Sequence, residues 1–229
     1  MTNKNTFLTN IKTRLEKTVL PGIETAHPGS FTGYTYQPDA PSDALVEQFR
    51  QELEKLSGQV AVLDDVEEVV PTILEILRQY GADKLIAWDK DDLELAWLPS
   101  ALKDAGITFE KSYLGPDEES RKAALTQAEA VRIGLTGVRG ALADTGAIAL
   151  VSGPGRGRLA SLLPPVHIAL LPASKLYPSL PAFLAANPTA TADGSNLVFI
   201  AGPSRTGDIE MTLTMGVHGP GAVHVIIMP

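Results

Sequence analysis

The segment Gly202-Pro203-Ser204-Arg205-Thr206-Gly207-Asp208-Ile209-Glu210 concentrates residue types that bind and polarise anions. It follows an apolar run, Asn196 to Ala201, that reads as a buried strand. A strand emptying into Gly-Pro-Ser-Arg-Thr sets backbone N–H groups, two hydroxyls and a guanidinium at one strand end, which is the material of an anion site. Gly202, Ser204, Arg205 and Thr206 are therefore candidate ligand-binding residues. Asp208 and Glu210 are candidates to orient Arg205, to bind a ligand hydroxyl or to act as general base; the plainer reading of Asp208 is a cap on a turn over residues 209–215. Gly216-Val217-His218-Gly219-Pro220 then adds His218, a candidate acid/base, and Gly219. A metal site on Asp208, Glu210, His218 and His224 is disfavoured, because Glu210 and His218 lack the i, i+4 spacing of helical zinc motifs.

Three further constellations carry polar chemistry. Asp144-Thr145-Gly146 precedes an apolar run, and an acid, a hydroxyl and a flexible glycine at a strand boundary suit a ligand hydroxyl or amide, or else a simple Asx turn. Ser152-Gly153-Pro154-Gly155-Arg156-Gly157-Arg158 offers close backbone approach to a phosphate with arginine charge, Arg158 foremost; the alternative is a mobile solvated loop. It matches neither the P-loop nor the dinucleotide fingerprint. His167, inside Val166 to Leu171, is either a hydrogen-bonded core histidine or a group that meets a carboxylate. No nucleophile-elbow sequence is present. The anion-site reading requires the late turns to converge, bringing Asp144, Arg158, His167, Arg205 and His218 into one cavity.

These turns need a scaffold, and the 229 residues are enough for one substantial core with an appendage. The chain has no cysteine, which excludes disulfides, thiolate metal sites and cysteine-ligated iron–sulfur clusters within it. The net charge of −8 argues against general nucleic-acid binding. Its distribution is uneven: residues 1–130 hold 13 basic and 23 acidic residues, and residues 131–229 hold 6 and 4. Five of the later six are arginines, the residue whose planar fork binds carboxylate and phosphate. No apolar run reaches the ~20 residues of a membrane span, and the first residues lack the apolar core of a signal peptide. These features predict a cytoplasmic protein.

Periodicity predicts a helix over 4–18, an irregular arm to residue 40, and a single α/β domain over 41–229. Within the domain, helices are expected at 42–57, 64–80, 99–105 and 119–130. Strands are expected at 59–63, 84–88, 107–110, 131–135, 147–152, 166–171, 197–201 and 223–228. Pro71 is expected to kink the second of these helices or to move its start. Alternating β and α segments imply a mainly parallel sheet covered by helices, and the continuous apolar runs of the later strands suit burial on both faces.

Taken together, Ala143-Asp144-Thr145-Gly146-Ala147, Leu162-Leu163-Pro164-Pro165-Val166-His167-Ile168, the Gly202–Glu210 segment and Gly216–Pro220 resemble the lactate-utilisation protein C family, the LUD-domain proteins. The resemblance covers roughly residues 40–229 and implies a three-layer α/β sandwich around a mainly parallel sheet, similar to ribose-5-phosphate isomerase and CoA-transferases. It implies a cytoplasmic subunit of an L-lactate to pyruvate oxidation system that binds a small anionic ligand. Iron–sulfur clusters are expected on partner subunits of this electron-transfer complex, and no cofactor in this chain. No catalytic residue carries over from the family; His218, Asp208 and Glu210 remain candidates. The alternatives are a non-catalytic module sensing a phosphorylated metabolite or nucleotide, and an independent enzyme on a sugar phosphate or CoA ester.

Overall fold

The computed structural model describes residues 6, 8–10, 12–13, 42–112, 117–207, 213–216 and 218–229. The chain divides into Met1–Thr35 and Tyr36–Pro229. In the first unit the described residues, 6, 8–10 and 12–13, are helical; the irregular arm expected up to residue 40 lies outside the described residues.

In the second unit, helix α1 (Ser42–Lys55) buries Phe49 and Leu53 and carries Asp43 in its first turn, where the helix dipole favours an acid. It closes in a Schellman turn: the Gly58 and Ser57 N–H groups donate to the Leu53 and Glu54 carbonyls. Ser57 takes the left-handed position, at φ 67°. Strand β1 (Gln59–Val62) follows. The next helix, α2 (Val69–Gln79), starts later than its apolar periodicity suggests. Asp65 caps a short 3-10 turn over Val66–Glu68 instead, and Pro71 falls in the first α-helical turn, where its missing N–H has no intrahelical partner to lose. Then come β2 (Lys84–Ala87), α3 (Leu98–Asp104), β3 (Thr108–Lys111), α4 (Glu118–Glu129) and β4 (Ile133–Thr136).

Three-residue β5 (Gly140–Leu142), β6 (Ala147–Ser152) and the single turn α5 (Leu159–Leu162) precede β7 (Val166–Pro172). The chain ends through β8 (Leu176–Tyr177), α6 (Leu180–Ala186), β9 (Asn196–Ile200), the hairpin β10 (Arg205–Gly207) and β11 (Leu213–Met215), and β12 (Ala222–Met228).

Six strands form one sheet in the order β1-β12-β7-β4-β2-β3, and every pairing in it is parallel. Helices flank this sheet, as expected. A second, four-stranded sheet, β8-β5-β6-β9, is mixed: β6 runs antiparallel to both β5 and β9. Its side chains alternate between two cores. Ala141, Ala143, Ile148 and Leu150 join the main core, while Leu142, Ala147 and Ala149 pack with Phe183 of α6. Burial on both faces explains why β6 reads as a continuous apolar run. The run at β9 has a different cause. Asn196 is exposed and residues 197–200 are only partly buried, because β9 pairs with β6 on one side only. It is an edge strand rather than the buried one expected.

Candidate ligand site

The parallel sheet has one topological switch point. From β2 the chain steps outward to β3, and from β4 it steps the other way through β7 and β12. Ligands of open parallel sheets bind outside the carboxyl ends of the strands at such a point. Here the crevice lies between the segment after β2, Trp88 to Glu94, and the segment after β4, Gly137 to Arg139. The two segments touch: a Cβ on Gly137 would sit 2.2 Å from the Asp92 carbonyl oxygen, so only glycine fits. Glu94 holds a left-handed backbone at φ 66°, a strained state for a non-glycine residue that clusters at functional sites.

The Gly-rich loop after β6 closes this crevice. Gly153 and Arg156 exchange two backbone hydrogen bonds around Pro154-Gly155, and Gly155 has φ 74°. Proline then a left-handed glycine is the signature of a type II turn. The turn is pinned at several points. Asp89 N–H donates to the Gly155 carbonyl at 2.8 Å, Trp88 Nε1 donates to the Gly157 carbonyl at 3.1 Å, and Gly157 N–H donates to Ser112 Oγ at 3.2 Å. The loop is therefore a fixed wall, not a solvated tether.

Two cavities share the side chain of Arg156. The smaller, about 170 Å³, is lined by Trp88, Asp91, Asp92, Glu94, Val138, Arg139, Val151, Arg156 and Lys175. Its charges are already matched. Lys175 Nζ sits 2.6 Å from Glu94 Oε1, and Arg156 Nη1 sits 3.3 Å from Asp92 Oδ1. Arg139 Nη2 lies 2.8 Å from Asp193 Oδ2. The larger, about 350 Å³, is lined by Ser112, Ser152, Gly153, Arg156, Gly157, Arg158, Leu159, Leu162 and Ser195. Among the described residues no carboxylate lines it. The exposed Arg158 guanidinium makes no hydrogen bond or ion pair among the described residues, and Arg156 Nε is buried without a partner. The unpaired Arg158, with no described acid on the wall, makes this the cavity that suits an anion. Ser152, Arg156 and Arg158 belong to the Gly-rich segment that the sequence singled out; Ser112 and Ser195 are the wall residues that it did not. Their common signal is that each lies at a strand end or in the Gly-rich turn.

The other expected residues fall elsewhere. β6 and β9 are antiparallel, so the end of β6 meets the start of β9 (Ser152 opposite Asn196) and the start of β6 meets the end of β9 (Ile148 opposite Ile200). The Gly-rich loop and Ser195 therefore share one end of the molecule. Asp144-Thr145-Gly146 and Gly202–Arg205 share the opposite end, packed on the end of α1. Gly146 rests on the Leu53 backbone, where a Cβ would come within 2.4 Å of its nitrogen, and Gly202 rests on Leu56. Arg205 is exposed and donates through Nη2 to the Leu56 carbonyl and to Ser57 Oγ. It closes the carboxyl end of α1, a standard role for arginine there. Ser204 N–H donates to the Pro220 carbonyl and Gly216 N–H to the Ser204 carbonyl, so these amides are committed to the turn. Gly221 N–H donates to the Pro165 carbonyl, just before β7. This end of the molecule is thus the amino end of β1, β7 and β12.

Asp144 is partly buried with Oδ1 unpartnered, and burial holds its carboxyl above the usual range. Thr145 and His218 are exposed, Gly146 is buried and Gly219 is half-buried. Thr206 lies in β10. Asp208 and Glu210 lie outside the described residues. His167 is wholly buried in β7. Its Nε2 lies 2.9 Å from Thr136 Oγ1 and its Nδ1 has no partner, and burial lowers its pKa to about 4. It takes the core reading. His224 is nearly buried, bonded through Nε2 to Tyr80 Oη at 3.1 Å, and is also lowered to about 4 by burial. The expected convergence on a single cavity does not occur: Arg158 and Arg205 stand at opposite ends of the sheet. Arg205→Ala should accordingly lower the melting temperature by about 3 °C at most, the scale of one exposed hydrogen-bonded cap, and leave ligand-induced stabilisation at the Arg158 cavity unchanged. Loss of that stabilisation in a thermal melt of the variant would contradict the assignment.

The chain is thus an α/β protein with a mainly parallel six-stranded sheet flanked by helices and an arginine-bearing cavity beside it. The LUD domain family model matches residues 46–228, and the chain belongs to that family. It is 31% identical over 229 residues to "Lactate utilization protein C" of Halalkalibacterium halodurans, covering 95% of this chain and 94% of that one. It is 34% identical over 190 residues to the protein of the same name from Shouchella clausii, covering 80% and 78%. A crystal structure of a DUF162 family protein from Deinococcus radiodurans superposes with a TM-score of 0.59 at 17% identity. That match covers 83% of this chain and 99% of that chain, and it supports the fold alone. Among the described residues no group of three His, Asp or Glu could hold a metal ion, and no helix is long and apolar enough to cross a membrane.

Proposed function

We propose that this chain is a cytoplasmic subunit of an L-lactate utilisation system, that it binds a small anionic ligand in the Arg156–Arg158 cavity, and that it works beside partner subunits carrying iron–sulfur clusters. The observation that carries this reading is the near full-length match to relatives named Lactate utilization protein C. The cavity adds the chemical part: a guanidinium with no carboxylate beside it is poised for an oxyanion. Oxidising lactate to pyruvate removes two electrons and two protons, one hydrogen leaving the hydroxyl-bearing carbon and one its hydroxyl oxygen. A chain without cysteine offers no thiolate ligands for a cluster, which fits a reading in which partner subunits take the electrons. The role of this chain is to bind, orient and assemble.

The test is reconstitution. The purified chain alone should form no pyruvate from L-lactate with an artificial electron acceptor. The cluster-bearing subunits should turn lactate over only when this chain is added. Pyruvate formation by the chain alone, or equal turnover without it, would overturn the proposal.

A further inference from the structure

The cavity that the proposed function uses has more donors and more room than a three-carbon acid needs. We infer that its ligand is a phosphorylated organic molecule, held by its phosphoryl group between Arg156 and Arg158 and by its organic part against Leu159 and Leu162. This rests on the reading of that cavity as the ligand site.

Donor geometry is the first argument. A carboxylate has two oxygens in one plane, and a single guanidinium fork satisfies both. A phosphate monoester presents three terminal oxygens in a tetrahedral fan and needs donors from several directions. The cavity supplies them: the free Arg158 guanidinium at its mouth, the buried Arg156 Nε–H that no group of the described protein accepts, and the hydroxyls of Ser112 and Ser152 on the wall. A buried N–H left without an acceptor is costly, and a ligand oxygen removes that cost.

Charge is the second. Two arginines and no acid line the cavity among the described residues; Arg156 is ion-paired with Asp92 of the adjoining smaller cavity, and Arg158 is unpaired. The unmatched charge is that of Arg158, and the phosphate of an ester, with three terminal oxygens, can meet it and the remaining Arg156 N–H groups together. Arg156 is also held in place: it donates through Nη2 to the Asp193 carbonyl at 3.1 Å and lies across Gly153, where any side chain would crowd it. Such preorganisation lowers the entropy cost of binding.

Size is the third. About 350 Å³ is within the range of sites for cofactor-sized ligands, and lactate would leave most of it to water. Leu162 is 47% exposed at the same cavity. An apolar shelf beside an anion site recognises something attached to the anion.

Thermal melts and titration calorimetry of the full chain decide this, with inorganic phosphate, ribose 5-phosphate, AMP, L-lactate and pyruvate as separate probes. A phosphate ester should raise the melting temperature by mass action and bind at least ten times more tightly than lactate, pyruvate or inorganic phosphate. Arg158→Ala, an exposed change that leaves the fold intact, should weaken the ester by about 10- to 100-fold, the scale of a lost charge-assisted contact. Binding of lactate or pyruvate through Arg158 without ester binding would overturn the inference and leave the lactate-system reading standing. Equal affinity for ester and inorganic phosphate, or ester binding untouched by Arg158→Ala, would also overturn it. Reconstituted lactate turnover is the independent readout for the underlying function.

Discussion

Gly134→Ala should abolish the native fold or lower its melting temperature by more than about 10 °C. Gly134 lies in the middle of β4, and the backbone of α5 sits directly on it. A Cβ there would stand 1.6 Å from the Ala160 carbonyl oxygen and 2.7 Å from its carbon. Backbone cannot yield as a flexible side chain does, so either α5 lifts or β4 bends. Overpacking of this kind costs about 1–3 kcal/mol when side chains can adjust, and more when backbone must move. At about 2–4 °C per kcal/mol for a domain of this size, the shift is large. The consequence reaches the cavity. α5 follows Arg158 directly and carries Leu159 and Leu162, so lifting it moves one wall. If the variant folds, it should lose ligand-induced stabilisation as well. A variant with a near-native melting temperature would show that α5 does not rest on β4.

Acid should destabilise the protein well above the range where carboxylates titrate. Burial lowers His167 and His224 to about 4 from an ordinary value of 6.5. Between those two values the unfolded chain binds protons that the folded chain refuses. Stability is therefore fully present above about pH 6.5 and is lost as the pH falls toward 4, where it levels off. For His167 the depression is worth about 3 kcal/mol across that window, and for the less enclosed His224 somewhat less. Asp144 works in the opposite direction. Its raised carboxyl favours the folded state where it is protonated, and this partly offsets the histidines at low pH. Denaturant midpoints at pH 7, 5.5 and 4.5 should fall in that order. His224→Gln should flatten the profile, and His167→Gln should flatten it further if it folds. A midpoint that stays level from pH 7 to 4.5 would mean that these histidines titrate as they do in the unfolded chain.

The two predictions concern neighbouring groups. Gly134 is the register partner of His167, and Thr136, two residues along β4, supplies the hydroxyl that His167 bonds. A glycine opposite an imidazole leaves space for α5, and the threonine satisfies one ring nitrogen in a place without water.

Much of this scaffold was legible in the order of residues. Apolar spacing at Phe49 and Leu53, the acid at Asp43 and the continuous apolar runs of β6, β7 and β12 report local preferences, and local preferences survive into the fold. Composition had the same directness: the missing cysteines and the arginine-rich late half are chemistry independent of shape. The family motifs were legible for the same reason.

Other features depended on contacts distant in sequence. β5 has three residues and β8 has two; such strands exist because a neighbour offers a ladder, not because of their own propensity. α2 begins at Val69 because Asp65 caps a separate 3-10 turn, a choice that its apolar periodicity cannot express. Above all, the direction of β6 relative to β9 assigned the turns to the two ends of the sheet. Strand direction is a property of pairing, and a single strand reads the same whichever neighbour it meets. Residue types alone determined that this protein carries arginine-and-glycine turns suited to anions on a mainly parallel sheet. Only the tertiary structure decided that Arg205 closes a helix at one end while Arg156 and Arg158 face an acid-free cavity at the other, because antiparallel pairing sends the carboxyl ends of two adjacent strands in opposite directions.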